Sequence, residues 1–132
     1  LTLTLAGGEE PLDTRAEPLT LGATDAFELA SLAARYMLPA LAAEARGRMY
    51  AALTPAEVAP LLWRAQAECE AEALQMVFGW AVDHFEEVAA QLDCWLGALP
   101  AAPREAREIG TDALGAMHEQ LRVAMLHARY GL

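Results

Sequence analysis

The segment Thr54-Pro55-Ala56-Glu57 constrains this chain more than any other, because its natural use is to start an α-helix. Thr54 suits the N-cap, Pro55 suits the first helical position, where its absent N–H is not missed, and Glu57 can reach back to a free backbone donor. The helix that follows has Val58, Leu61, Leu62 and Ala65 as its apolar stripe. Pro60 lies beyond the first turn, where it removes a backbone hydrogen bond and crowds the carbonyl of Ala56, so a kink or an irregular first turn is expected.

The same logic extends over residues 25 to 88, which read as short amphipathic helices punctuated by caps and prolines. Asp25 and Glu28 are spaced as a capping box for a first helix over about 26 to 36. Its stripe is Leu29, Leu32, Ala33 and Tyr36, broadened by Phe27, Ala30 and Ala34, and the helix is expected to be largely buried. Pro39 begins a second helix with Leu38, Leu41, Ala45 and Met49 as its stripe, and the short connection makes the two a hairpin. A fourth helix is expected over about 70 to 82, presenting Ala73, Leu74, Val77, Phe78 and Ala81. A fifth, over about 84 to 97, presents Phe85, Val88, Ala89, Leu92 and Leu96.

The flanks differ. Leu1-Thr2-Leu3-Thr4-Leu5 alternates with the period of a half-buried strand, and Gly7-Gly8 would turn it. With Leu19-Thr20-Leu21 as a second strand, residues 1–24 read as a β-hairpin or extended arm that needs further strands to be stable. Leu1 is not an initiator Met, and partner segments outside the sequence are allowed for. Pro100 and Pro103 bracket a linker. Residues 104 to 130 return to helical periodicity with Leu114, Met117, Leu121, Ala124 and Ala128 as the stripe; Gly110 and Gly115 weaken the first half, which puts the start of the helix near Asp112 as the alternative, and Gly131 is its stop.

Composition narrows the class of function. All nine basic residues are Arg, there is no Lys or Asn, and Ile109 is the only Ile, which suggests a GC-rich genome. Hydrophobic residues make up 55%, and many are Ala, which lets helices approach closely. A net charge of −10 argues against nucleic acid and anionic membranes, both of which reward clustered basic residues. No apolar run approaches the roughly 20 residues that span a bilayer, and no signal peptide pattern opens the chain. An intracellular protein, cytoplasmic or nuclear, is expected. Cys69 and Cys94 lack metal or redox spacing and read as buried or idle thiols.

No residue pattern points to chemistry, and catalytic residues, metals and cofactors are all expected to be absent. His118 and His127 stand half a turn off a shared helix face, and His118-Glu119 is not followed by the second His of a zinc-protease motif. The carboxylates lie where a solvated helix face would put them, and Ser31 has no elbow glycine beside it. Trp63, Trp80 and Trp95 read first as edges of a helical core, with Trp63, beside Arg64, the best candidate for a partner anchor.

Taken together, Glu28-Leu29-Ala30-Ser31-Leu32-Ala33 with Tyr36, Leu38 and Leu41, then Leu53-Thr54-Pro55 with Val58, Leu61, Leu62 and Ala65, then Leu74, and finally His84-Phe85-Glu86-Glu87-Val88 follow one order. That order resembles the end of a BTB domain running into a BACK-type helical region, whose helices follow the patterns ELLxLAxxYxLxxL, LTxxNVxxLLxxA and NFxxV. The resemblance covers about half the chain. It departs from the family at Ala43 or Ala45, where a Cys is usual, at His84 in place of Asn, and at Pro60. Thr14-Arg15-Ala16 stands near the family's HRA element, and the centre of a BTB domain has no counterpart between about Leu19 and Thr24.

The resemblance implies a mainly α array of BACK-like helical hairpins. Residues 25–99 would hold the BTB C-terminal helices and BACK-like helices, and 100–132 the linker and final helix. It implies a non-enzymatic adaptor that binds other proteins, including a cullin scaffold of a ubiquitin ligase, with homodimers allowed. The cullin-facing surface would map to Leu53, Val58, Leu61 and Leu62, which overlap the expected core, and Trp63 joins them as a partner-binding candidate on its own account. The lack of Lys fits an adaptor that avoids modifying itself, and genome bias explains it as well. A structural subunit docking into a large assembly is the competing expectation.

Overall fold

The computed structural model describes residues 21–131. Among these residues seven α-helices run in order: α1 Ala23–Arg35, α2 Pro39–Ala52, α3 Pro55–Ala67, α4 Ala71–Asp83, α5 Phe85–Gly97, α6 Arg104–Ile109 and α7 Thr111–Tyr130, with a 3-10 turn at Leu99–Ala101 between α5 and α6. The mainly α class is as expected, and no strand occurs among the described residues. The expected N-terminal hairpin lies outside them up to residue 20, while Ala23 and Thr24 already belong to α1.

The helices start and stop for reasons visible in the residues. Pro39 and Pro55 each occupy the first turn of a helix, as expected. Thr54 is the residue before α3, but its hydroxyl donates to Glu57 Oε1 at 3.1 Å instead of capping a backbone N–H. A tight Glu57 N–H to Thr54 carbonyl bond of 3.0 Å opens the helix, which then continues past Pro60 to Ala67 without a break. The capping box at Asp25 is not formed: α1 begins earlier, with Gly22 at the N-cap, and Asp25 sits in the first turn, where a negative charge meets the positive end of the helix. Gly110, at φ +91, separates α6 from α7 in a conformation that side chains disfavour, and Gly131, at φ +69, ends α7.

The first four helices form two hairpins of one design. Ala23 to Pro55, and Pro39 to Ala71, are both separations of 32 residues, so α3 and α4 repeat α1 and α2 in length and spacing. Their turns repeat as well. Leu38 N–H donates to the Ala33 carbonyl at 2.8 Å and Met37 N–H to Ala34 at 3.1 Å; Glu70 N–H donates to Ala65 at 2.8 Å and Cys69 N–H to Gln66 at 3.3 Å. Both are Schellman closures, with Met37 at φ 60 and Cys69 at φ 57 in the left-handed position usually given to Gly. α1 packs on α3 and α2 on α4, so the hairpins stack as repeat units do.

The core gathers round α3, which contacts α1, α4, α5 and α6. Val58, Ala59, Leu61, Leu62 and Ala65 are all buried there, matching the expected stripe and adding Ala59. Each such Leu contributes roughly 1.5–3 kcal/mol by leaving water. Val77, Ala81 and Trp80 of α4, Val88, Leu92 and Trp95 of α5, and Leu114, Met117 and Leu121 of α7 complete it. Met125 takes the buried place expected for Ala124 and Ala128, the first of which is half-buried and the second exposed.

The expected face of α1 holds at Phe27, Ala30 and Ala33 and fails at its larger residues and at Ala34. Leu32 and Tyr36 point to solvent and Leu29 is half-buried, whereas Ala23, Ala26, Phe27, Ala30, Ser31 and Ala33 are buried. The cause lies in α2, whose buried residues are Ala42, Ala45 and Met49. Small residues on both helices let the backbones approach closely, and that face excludes the larger leucines. Leu38 is likewise exposed and Leu41 half-buried.

Candidate functional site

The residues singled out for partner binding divide sharply. Leu53, Val58, Leu61 and Leu62 are buried, so a docking surface made of them is not presented by this fold. Their helical spacing is that of a stripe, and the stripe faces inward. Trp63, next on the same helix, is 42% exposed, while Trp80 and Trp95 are core residues as first read.

The largest apolar exposure is at the turn between α1 and α2. Tyr36 is 69% exposed and Met37 84%, with Leu32 one turn earlier and Leu38 directly after. The Schellman closure causes this, since a residue in the left-handed position projects away from the helix it ends. The equivalent turn after α3 carries Glu68, Cys69 and Glu70 instead.

That second turn is engaged internally. The Ser31 hydroxyl, the one buried polar side chain among the described residues, lies 3.0 Å from Glu70 Oε2 and 3.2 Å from Glu68 Oε1, and donates its hydrogen between them. Arg64 donates to Glu28 at 3.0 Å and to Glu68 at 3.1 Å and lies over the Phe27 ring, 4.9 Å from its centre. Burial draws the Arg64 guanidinium down, but its bonds to Glu28 and Glu68 prevail and hold it above its ordinary value. This network fastens α1 to the end of α3, and gives Glu28 a role other than capping.

An open groove of about 390 Å³ lies between α3, α4 and α7. Leu62, Leu74, Phe78 and Met117 supply its apolar surface, Gly79 leaves α4 bare there, and Gln66, Gln75 and Gln120 bring three amides to it. Sequence periodicity assigned Leu62, Leu74 and Met117 to helix stripes and gave no sign that they line a shared hollow.

Histidines serve helix joints. His84 alone links α4 to α5; its ring stacks on Trp80 with centroids 4.0 Å apart, and Nδ1 donates to the Trp80 carbonyl at 2.9 Å. His118 Nε2 sits 3.1 Å from Asp93 Oδ1, and Phe85 meets its ring edge-on. Cys69 and Cys94 are free and exposed, which removes the buried one of the two expected alternatives: Cys69 lies in the turn and Cys94 on the outer face of α5. Among the described residues no group of three His, Cys, Asp or Glu side chains is arranged to hold a metal ion, and no helix is long and apolar enough to cross a membrane.

No family model matches this sequence, and comparison with curated proteins and solved structures finds no match either. The surfaces themselves therefore carry the functional reading.

Proposed function

We propose that the protein is a non-enzymatic protein–protein interaction module, an adaptor of BTB/BACK-like kind that docks through the first hairpin turn. The observation that carries this reading is the exposure of Leu32, Tyr36, Met37 and Leu38 together at one end of the hairpin stack. A contiguous cluster of this kind loses stabilisation in water and regains it when a partner covers it. Tyr36 and Met37 suit such a site, Tyr as an amphipathic anchor and Met as a side chain that adapts to its partner.

A cullin scaffold is the partner implied by the resemblance, and the chain's available contacts for it are Trp63 and the first turn, because Leu53, Val58, Leu61 and Leu62 are buried. The test is binding of a cullin N-terminal region to the chain and to a Tyr36→Glu/Met37→Glu variant. Micromolar or tighter binding that is lost in the variant is expected. Absence of binding by the unaltered chain would remove the ligase role, and binding indifferent to the substitutions would place the surface elsewhere.

A second reading, a structural subunit docked into a larger assembly, is favoured by the exposed Val123 and Tyr130 on α7. It predicts that Val123→Glu/Tyr130→Glu, and not the Tyr36 and Met37 pair, prevents incorporation into the assembly, as judged by co-sedimentation.

A further inference from the structure

We infer that the exposed side of the first hairpin receives a second copy of this chain, α1 against α1 in antiparallel pairing. This is the docking surface already proposed, with its occupant named, and it rests on that reading. The 32-residue repeat shows what kind of surface it is. Across the internal junction of the two hairpins, Arg64 meets Glu28 and the Phe27 ring, Glu68 and Glu70 meet Ser31, and Glu72 meets Arg46 at 2.7 Å. One repeat earlier, Arg64, Glu68, Glu70 and Glu72 correspond to Leu32, Tyr36, Leu38 and Ala40, all of them exposed. The face that α3 and α4 turn towards the first hairpin therefore recurs on α1 and α2, with nothing covering it among the described residues. The other end of the stack is closed, since α5 and α6 pack on α3 and α7 packs on α4.

Chemistry selects the occupant. The four charged residues of the internal junction have become Leu, Tyr, Leu and Ala, so the open face has no partner for groups such as Glu28, Ser31 and Arg46. A copy stacked in the sense of the repeat is excluded as well, because its own Glu28, Ser31 and Arg46 are already engaged inside it. What matches an apolar face is another apolar face, and a two-fold axis supplies it from the same residues of a second copy. Asp25, Leu29, Leu32 and Tyr36 fall within an arc of about 60° on α1, on the side away from buried Phe27 and Ala30. Antiparallel pairing about the middle of this stripe sets Leu29 against Leu32 of the other copy and Arg35 beside its Asp25, twice over. Parallel pairing would set like charge against like. Neither Asp25 nor Arg35 has an ion-pair partner among the described residues, so both are available. They also balance each other on this face, which lets it self-associate although the chain carries a net charge of −10.

The test is sedimentation equilibrium of the intact chain. A mass that rises with concentration towards twice that of the chain is expected. Leu32→Glu/Tyr36→Glu should keep it monomeric, whereas Val123→Glu/Tyr130→Glu, on α7, should leave it dimeric. Asp25→Arg and Arg35→Asp should each weaken self-association by about tenfold. An equimolar mixture of these two variants should restore it, because every contact between the two chains then joins opposite charges, and the restoration also shows both to be folded. A chain monomeric up to about 1 mM, one that dimerises only after residues 1–20 are removed, a dimer indifferent to Leu32→Glu/Tyr36→Glu, or a mixture no tighter than its components would each overturn the assignment. A monomer that binds the cullin region through Tyr36 and Met37 would overturn self-association alone, and a monomer that does not would remove the ligase role as well.

Discussion

The two hairpin turns, Tyr36-Met37-Leu38 and Glu68-Cys69-Glu70, share a backbone and differ in everything they present. Each closes its helix by the same pair of hydrogen bonds and puts a side-chain-bearing residue at positive φ. The second turn spends its carboxylates on Ser31 and, through Glu68, on Arg64, inside the molecule. The first exposes a Tyr, a Met and a Leu. Local geometry is therefore set by the repeat, whereas the side chains are set by what each turn faces, and the first turn's apolar residues are free to meet a partner.

The largest expected effect compares equivalent core positions. Leu61→Ala, at a site 1% exposed on the helix that the others surround, should cost about 2–5 kcal/mol, whereas its repeat counterpart Leu29→Ala, half-buried, should cost about 1 kcal/mol. Urea denaturation of the two variants would show this, and equal losses would mean that the hairpins share the core evenly. Next, Met37→Gly and Cys69→Gly should each stabilise by about 1 kcal/mol, because glycine removes the strain of the left-handed position. A gain at only one turn would break the geometric equivalence. Ser31→Ala should cost about 1 kcal/mol by freeing the second turn from α1, with no change in binding at the first.

The smallest effect is a control outside both turns. Glu86 of α5 accepts two hydrogen bonds from Arg129 of α7, and these hold its carboxyl down at about 2, below its ordinary 4.5. Because the folded value is depressed, this pair's contribution is complete above pH 4.5 and is lost as pH falls towards 2. In Glu86→Gln the acid limb of a stability–pH curve should flatten slightly, whichever turn has been altered.

How much of this was legible in the sequence depended on what each signal encodes. Pro39, Pro55 and Gly131 marked helix ends because their backbone preferences act locally. The α3 stripe was read correctly because that helix is enclosed on several sides, so its large apolar residues have only the core to enter. On α1 the same reasoning chose Leu32 and Tyr36, since size was taken as burial, yet the close contact with α2 selected alanines. The 32-residue repeat was missed because the two turns conserve conformation through Met37 and Cys69, residues with nothing chemical in common. The groove depends on α7 packing against α4 beside α3, a relation that spacing along one helix does not contain.

The most direct test of the central contrast is site-specific photo-cross-linking with a benzophenone amino acid placed at position 37 in one variant and at position 69 in another. The account predicts a discrete partner adduct from position 37, competed away by unlabelled chain and abolished by Tyr36→Glu/Leu38→Glu, which should itself change stability by no more than about 0.5 kcal/mol. Equal adducts from both positions, or an adduct from position 69 alone, would contradict it.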